Sequence, residues 1–545
     1  MQASLREAQT EGRTETETAR GRAVAMSSPS AVKGVLLDAA VLRGAVADEK
    51  LLYRLRFSNL RLGVLQAQAQ VQKTKEDWGL WDGVKLVVVG EKEEEALEAI
   101  QRQWEVPASS SVFVTTAAAA GGASEQDKLL LEDKLKEKGW RSLVVLGGSS
   151  SSSSAGEDVL LQLEDLFLAL ARLNKKALGD GGDKLVVVGH SMKWSREKDF
   201  LKRGALPFVP LPQQTVTANH ASLSFIPIQL DRPVEPQLAA VDLVLHKATD
   251  EIVSIAQDPT ATVAERITFS EGVQKLQRYL EANPQLPVVD PIKNIMPLLD
   301  RAATRNLLED LGDARVSSRT VVRAPRSVEV KNLEHPQQLE EALLHVSFPT
   351  IVKPLMACGA SEAHTMAVVF KKEGYEGLQV PMPAVIQEYV DHGSCVYKFY
   401  VLGSKVMHSC RRSMPNAASL AVSSGSSNSE MSALVFDSLK SLPVSFTAAG
   451  EGGKNPQATA AANQVVEGDG SLDVEAVEAA AAWLRTKLGL TIIGFDIVVQ
   501  VGTLDHVMVD VNFFPSFRDV PDVEAIPAFW SALLNAHKAK TLQTI

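Results

Sequence analysis

Residues 491–518 read TIIGFDIVVQVGTLDHVMVDVNFFPSFR, and the rest of the chain is interpreted from this stretch. Two β-rich runs, 495–500 and 506–512, flank a Gly-containing turn, which is the pattern of a β-hairpin. Folding about Thr503 sets Asp496 opposite Asp510. Asn512, two residues further on, shares the face of Asp510. Like charges directly opposite one another destabilise a ladder, so a cation belongs between them. Three hard oxygen donors suit Mg²⁺, which keeps waters and takes substrate phosphates with one or two carboxylates. Solvated acids on an exposed hairpin are the other reading of the same spacing.

Working outward, the chain has 545 residues, 45% of them hydrophobic and 22% charged, room for roughly three or four domains of about 150 residues. A formal net charge of −10 argues against bulk nucleic-acid binding. No apolar run approaches the roughly 18 residues of a membrane helix. The cysteines are Cys358, Cys395 and Cys410, an odd and unpatterned set that predicts a reducing compartment, no disulfide and no zinc site. Residues 1–31, acidic and without an apolar centre, are read as a disordered leader rather than a secretory signal.

In the first half, short apolar runs at 32–38, 85–89, 112–115 and 143–146 alternate with helical stretches at 91–104 and 125–138. This predicts a parallel, doubly wound sheet. The Gly/Ser tract 147–154 is read as a linker or loop insertion. Asp38 ends the first run as a phosphatase-type nucleophile would, but Ala40 stands where a second acid is needed. The front domain is therefore expected to be structural or docking. A further α/β unit starts at 184–189 and leads into the densest basic segment, with Lys193, Arg196, Lys198, Lys202 and Arg203. That segment is either ligand-facing, as expected beyond a strand's carboxyl end, or a solvated helix face. The run 241–247 brings Lys247 to a strand end.

In the second half, 288–311 reads as a helix with Pro291 near its start. The strand 348–353 ends in Lys353, and a small polar loop, 357–364, carries His364. Gln387 and Glu388 close another apolar strand, either as readers of a purine edge or as an ordinary strand end. The run 395–402 alternates cleanly and puts Lys398 on the face opposite Tyr397 and Phe399, which is costly unless the lysine is paired or faces a cleft. Arg411, Arg412 and Ser413 end the next strand. Segments 416–430 and 444–470 read as loops, 474–488 as an amphipathic helix, and 527–538 as a final helix with Pro527 at its first position. Strand-borne cations beside an acidic oxygen cluster are the inventory of phosphoryl transfer. Neither a Walker loop nor a protein-kinase His-Arg-Asp signature is present.

Several pieces, in order, resemble the inositol-tetrakisphosphate 1-kinase (inositol 1,3,4-trisphosphate 5/6-kinase) family: VDLVLHKATD (241–250), VVDPIKNIMPLLDR (288–301), FPTIVKPLMACGASEAHTMAVVF (348–370), AVIQEYVDHGSCVYKFYVLG (384–403), and IIGFDIVVQ with HVMVDVNFFPSF (492–517). The front segment, with GVLLDAAVL, is similar to the plant-type fourth member with its haloacid-dehalogenase-like region. The resemblance implies an α/β chain: leader 1–31, a Rossmann-like, haloacid-dehalogenase-like domain 32–183 without catalysis, an N-terminal kinase lobe 184–298, and an ATP-grasp domain 299–545. It implies a cytoplasmic, monomeric ATP- and Mg²⁺-dependent kinase of inositol and phytate metabolism, with two Mg²⁺ per site. Its substrates would be inositol 1,3,4-trisphosphate at the 5 or 6 position and inositol 3,4,5,6-tetrakisphosphate at the 1 position. By position, Arg301, Lys353, Gln387, Glu388, Val390, Ser413 and Ser438 would serve ATP, and Asp496, Asp510 and Asn512 the metal. Lys193 or Arg196, Lys247, His364, Lys398, Asn512 and Ser516 would meet the inositol phosphate, with His364 and Lys353 closest to the chemistry. Two positions depart from the family pattern: Cys358 replaces His or Asp before Gly359, and Ser516 replaces Gly. A carboxylate–amine ligase on the same fold, or an inositol-phosphate-binding scaffold, are the alternatives.

Overall fold

The computed structural model describes residues 31–45, 49–67, 84–89, 93–116, 123–146, 158–179, 185–211, 222–256, 261–313, 320–359, 361–422, 431–440, 465–466, 468 and 470–544. Residues 1–30, the serine tract and most of the two Ser/Gly/Ala-rich segments lie outside these.

The front sheet is parallel throughout, in the order Lys85–Val89, Arg61–Ala67, Gly34–Asp38, Ser111–Thr116, Arg141–Val145, Val159–Leu160. Its central strand Gly34–Asp38 is buried along its whole length, which is why that strand reads as an unbroken apolar run. Arg61–Ala67 escaped the pattern reading because Gly63 and Gln66 interrupt its apolar residues. Gly63 is there because a Cβ would lie 3.0 Å from the Trp104 ring.

A second parallel sheet follows, ordered Val288–Val289, Leu243–His246, Leu185–Ser191, Ser222–Pro227. Beyond it two larger sheets face one another. The first is antiparallel: Ser327–Val330, Ala384–Glu388, Thr350–Pro354, Thr365–Val369, Ala433–Asp437. The second runs Val322–Arg323, His506–Phe513, Ile492–Val499, Cys395–Leu402, Lys405–Arg412, Val465–Val466. One contiguous apolar core extends from Val32, just before the front sheet's central strand, to Leu534 in the final helix.

Three sequence expectations are corrected. The helix expected over 288–311 is three pieces, Ile292–Ile295, Met296–Leu299 and Arg301–Asp313. Asp300 breaks it with an extended backbone and accepts from the Ala303 amide at 2.9 Å, acting as an N-cap that the apolar periodicity hides. The final helix is Asp522–Thr544 and holds Pro527 in its interior; the amides of Glu524 and Ala525 already bond to Pro521 O, so the helix is nucleated before Pro527. Cys395 and Cys410 form a disulfide. They sit on paired strands, with Cys395 opposite Arg412 and Tyr397 opposite Cys410, a proximity that three scattered cysteines do not advertise. The argument from cysteine usage for a reducing compartment falls with it.

Candidate active site

The hairpin consists of Ile492–Val499 and His506–Phe513. Asp496 pairs with Asp510, and Gly494 with Asn512, as folding about Thr503 requires. Nearer the turn Val499 faces His506, and the register shifts between Asp496 and Ile497. The extra residue is Val509, so a bulge brings the two carboxylates opposite one another. At Gly494 a Cβ would lie 2.9 Å from Pro515 Cγ and 3.2 Å from Phe399 O. The chain leaving Asn512 can therefore fold back over that strand.

Asp496, Asp510 and Asn512 share one cavity of about 410 Å³ between the two facing sheets. Lys398 reaches it from the neighbouring strand, where it lies opposite Asp496, and its Nζ is 2.7 Å from Asp496 Oδ2. Asn512 Nδ2 donates to Asp510 Oδ2 at 2.9 Å. Burial, with Asp510 beside it, holds the Asp496 carboxyl above its ordinary range against the pull of Lys398. Two carboxylates and an amide oxygen, one carboxyl already pushed up by burial and then by its like-charged neighbour, fit a divalent cation that retains water and phosphate ligands.

The opposite wall is cationic. Alternation along Thr350–Pro354 leaves Lys353 as its one partly exposed residue, with Nζ 3.2 Å from Val509 O. Burial lowers its amine to about 8, with Arg301 adding to the shift and Asp510 opposing it. Arg301, the first residue of its helix, donates to Pro354 O at 2.5 Å and Met356 O at 2.8 Å, and reaches Ala363 O at 3.4 Å. It thus ties the His364 loop to the strand carrying Lys353. His364 Nδ1 lies 3.2 Å from Ser438 Oγ, and burial, then Arg301, lower its pKa, which favours the neutral ring. Gln387, Glu388, Val390 and Ser413 also line the cavity. The Glu388 carboxylate is engaged by Arg323 Nη1 at 2.5 Å and the Arg326 amide at 2.8 Å. The Glu388 side chain is therefore committed to these partners.

Lys193, Arg196, Lys247 and Ser516 do not line this cavity. Arg196, Lys247 and Ser516 gather at the turn 513–517, and Lys193 lies nearby on Asp250. Lys247 Nζ donates to Phe513 O and lies 4.8 Å over the Phe513 ring. Burial, with Arg196 beside it, lowers its amine to about 7. Arg196 donates to Phe514 O at 3.1 Å, and the Lys193 amide to Asp250 Oδ2 at 3.1 Å. Phe514 and Phe517 hold φ of 41° and 39°, left-handed values that cost about 1–3 kcal/mol each in a non-glycine residue unless the surroundings impose them.

The site reading missed two groups. Arg411 lines the cavity and pairs with Asp519, whose other oxygen accepts from Tyr400 Oη at 2.6 Å. Arg203 donates to Ser516 O at 2.8 Å and Phe517 O at 3.2 Å. Arg203 stood in the basic segment singled out from sequence, and its spacing of seven from Arg196 was the available signal.

Residues 316–531 match the domain described as "Inositol 1,3,4-trisphosphate 5/6-kinase ATP-grasp domain", and 209–295 the "Inositol 1,3,4-trisphosphate 5/6-kinase pre-ATP-grasp domain". Residues 26–176 match "ITPK4, N-terminal HAD-like domain". Among similar proteins, "Inositol-tetrakisphosphate 1-kinase 6" of Oryza sativa subsp. japonica is 42% identical over 385 residues, 70% of this chain and 65% of that protein. The chain's match thus spans less than two thirds of that relative's length. "Inositol-tetrakisphosphate 1-kinase" of Danio rerio is 28% identical over 64% of this chain and 78% of that protein.

Proposed function

We propose that the chain, which matches the inositol 1,3,4-trisphosphate 5/6-kinase ATP-grasp and pre-ATP-grasp domains behind a haloacid-dehalogenase-like front segment, is a kinase of that family and transfers the γ-phosphoryl group of ATP to a ring hydroxyl of an inositol polyphosphate. The observation that carries this reading is the Asp496–Asp510 pair on a cavity face shared with Asn512, opposite Lys353 and Arg301. Inositol 1,3,4-trisphosphate and inositol 3,4,5,6-tetrakisphosphate are the substrates proposed, by likeness to the named relatives.

Lys353 and Arg301 would neutralise the ATP phosphates, and the backbone from Gln387 to Val390 would hold the adenine, with Ser413 and Ser438 closing on the nucleotide. Asp496, Asp510 and Asn512 would hold Mg²⁺, which when bound supplies charge neutralisation on the transferring phosphoryl group. Lys398 would turn from Asp496 to the acceptor's phosphates, joined by the cations around 513–517. His364, kept neutral by burial and Arg301, would bond to the acceptor or take up its hydroxyl proton. Catalysis is then mainly positioning and charge neutralisation.

The test is to incubate the full chain with ATP, Mg²⁺ and a panel of inositol tris- and tetrakisphosphates and to separate the products by isomer. One added phosphate matched by one ADP is expected. Turnover confined to carboxylic acid plus amine, or binding without turnover, overturns the reading.

A further inference from the structure

Helix Trp194–Lys202 and its C-cap Arg203 present two working faces. Arg196, Phe200 and Arg203 recur at i, i+4 and i+7 and lie on one side. Arg196 holds Phe514 O, and Arg203 holds Ser516 O and Phe517 O. The Phe200 ring packs against Phe514 at 5.7 Å and Phe517 at 5.2 Å. This face grips the turn that leaves Asn512 and carries Ser516.

Trp194, Glu197 and Lys198 recur at i, i+3 and i+4 and face the front domain's helix Glu49–Arg56. Arg54 binds Glu197 with two prongs, Nε to Oε1 at 2.7 Å and Nη2 to Oε2 at 2.9 Å. His190 Nε2 lies 3.3 Å from the same Oε1. All three side chains are buried. Although burial opposes it, His190 and Arg54 hold the Glu197 carboxyl down to about 2. Around this pair the Tyr53 ring meets Trp194 edge-on at 5.5 Å, and Lys198 Nζ lies 5.1 Å over Tyr53. A solvated linker between independent domains would need none of this. A buried bidentate pair fixes orientation as well as distance.

We propose that Arg54 of the front domain is a positioning residue for the inositol-phosphate side of the site, fixing helix Trp194–Lys202 through Glu197 and, through Arg196 and Arg203, the turn 513–517. The proposal rests on the kinase reading above and makes the front domain part of the kinase's working structure. Its effect falls on the acceptor and spares ATP, because the cavity wall that would take the nucleotide belongs to other strands.

The full chain is compared with Arg54→Lys, with Arg54→Met, and with the double variant Arg54→Met/Glu197→Gln, which leaves no unpaired buried charge at the pair. Thermal unfolding and ATP binding establish that each variant is folded. The expected result is a KM for the inositol phosphate raised about tenfold in both Met-containing variants, since small misplacements of binding groups are expensive. The KM for ATP stays within about twofold, and Arg54→Lys is intermediate. Hydrogen exchange of the amides in 513–518 should quicken in the same order. A folded double variant with unchanged acceptor KM and unchanged protection of 513–518 overturns the proposal. Should the unaltered chain phosphorylate no inositol phosphate, the kinase reading fails on its own, and exchange at 513–518 still decides whether Arg54 governs the turn.

Discussion

The ammonium of Lys398 lies 2.7 Å from Asp496 Oδ2 across two adjacent strands, on the cavity face that also carries Asp510 and Asn512. One fixed positive charge thus stands where two carboxylates require a cation. A divalent ion bound at this proposed metal face would compete with Lys398 for Asp496. Lys398→Met should therefore lower the thermal stability of the protein in chelator. It should also enlarge the stabilisation gained on adding Mg²⁺ to several degrees above that of the unaltered protein, because binding to the folded state alone raises stability by mass action. An equal gain in both proteins would show that Lys398 does not screen the metal face.

Asp510 has a different burden, since Asn512 bonds to it and Asp496 faces it. Asp510→Asn keeps the shape and the hydrogen bond but removes the charge. The kcat should fall about 10²–10³-fold, the scale of losing one preorganised electrostatic group, while ATP binding measured without metal changes little. Retention of full turnover would remove the metal assignment.

How much of this was legible in the sequence depends on the range of the interaction. The pairing of Asp496 with Asp510 follows from a period of two and a tight turn, both local, although the bulge at Val509 that secures it leaves no compositional mark. Most of the parallel front sheet was likewise written in its apolar runs, the strand Arg61–Ala67 excepted. The split at Asp300 was hidden because its capping side chain sits among residues that keep a helical pattern. Arg54 and Glu197, 143 positions apart, meet only after two domains dock, and no spacing rule reaches that far. Lys247 was placed correctly at a strand end, but its donation to the Phe513 carbonyl depends on a turn folded 266 residues later.

Lys247 also predicts a pH dependence. Burial, with Arg196 adding to it, lowers its amine from 10.5 to about 7. Between these values the unfolded chain holds the proton and the folded protein does not, so stability rises with pH from about 7 to 10.5 and is flat in this respect below 7. The gain is on the order of a few kcal/mol. Denaturant titrations across that range should show it, and Lys247→Met should flatten it. The acceptor KM should climb as pH passes through about 7, where the folded protein's Lys247 amine loses its charge, and level off above that.

Arg323, in the edge strand Val322–Arg323 of the second sheet, ties that sheet to the first at the end proposed for the nucleotide. Its Nη1 reaches Glu388 in the first sheet, while Nε and Nη2 reach Asp505 at 3.1 Å and Gln500 at 2.8 Å in the hairpin turn of its own sheet. Arg323→Met leaves two carboxylates without their shared partner, at a cost of about 1–3 kcal/mol. The sheets would then hold the proposed adenine side less firmly. The KM for ATP should rise about tenfold with the acceptor KM little changed. The reverse pattern would place Arg323 outside the nucleotide grip.

The disulfide between Cys395 and Cys410 joins two strands of the same cavity wall across a separation of 15 residues. Arg411, Arg412 and Ser413 lie immediately beyond it and line the cavity, and the Ser413 amide bonds to Ser394 O at 2.8 Å. The bond thus staples both ends of the hairpin beside the proposed nucleotide. Closing a loop of that length stabilises a fold by about 3 kcal/mol in the chain-entropy account. Under denaturing, non-reducing conditions only Cys358 should take up a thiol label, and all three cysteines should do so after reduction. Cys395→Ser/Cys410→Ser should unfold several degrees lower and bind ATP more weakly, because the strand end carrying Ser413 is no longer fixed to the one carrying Ser394. Three labelled thiols without reductant would mean that the pair is held together by the strand ladder alone, and the double variant should then match the unaltered protein in both measurements.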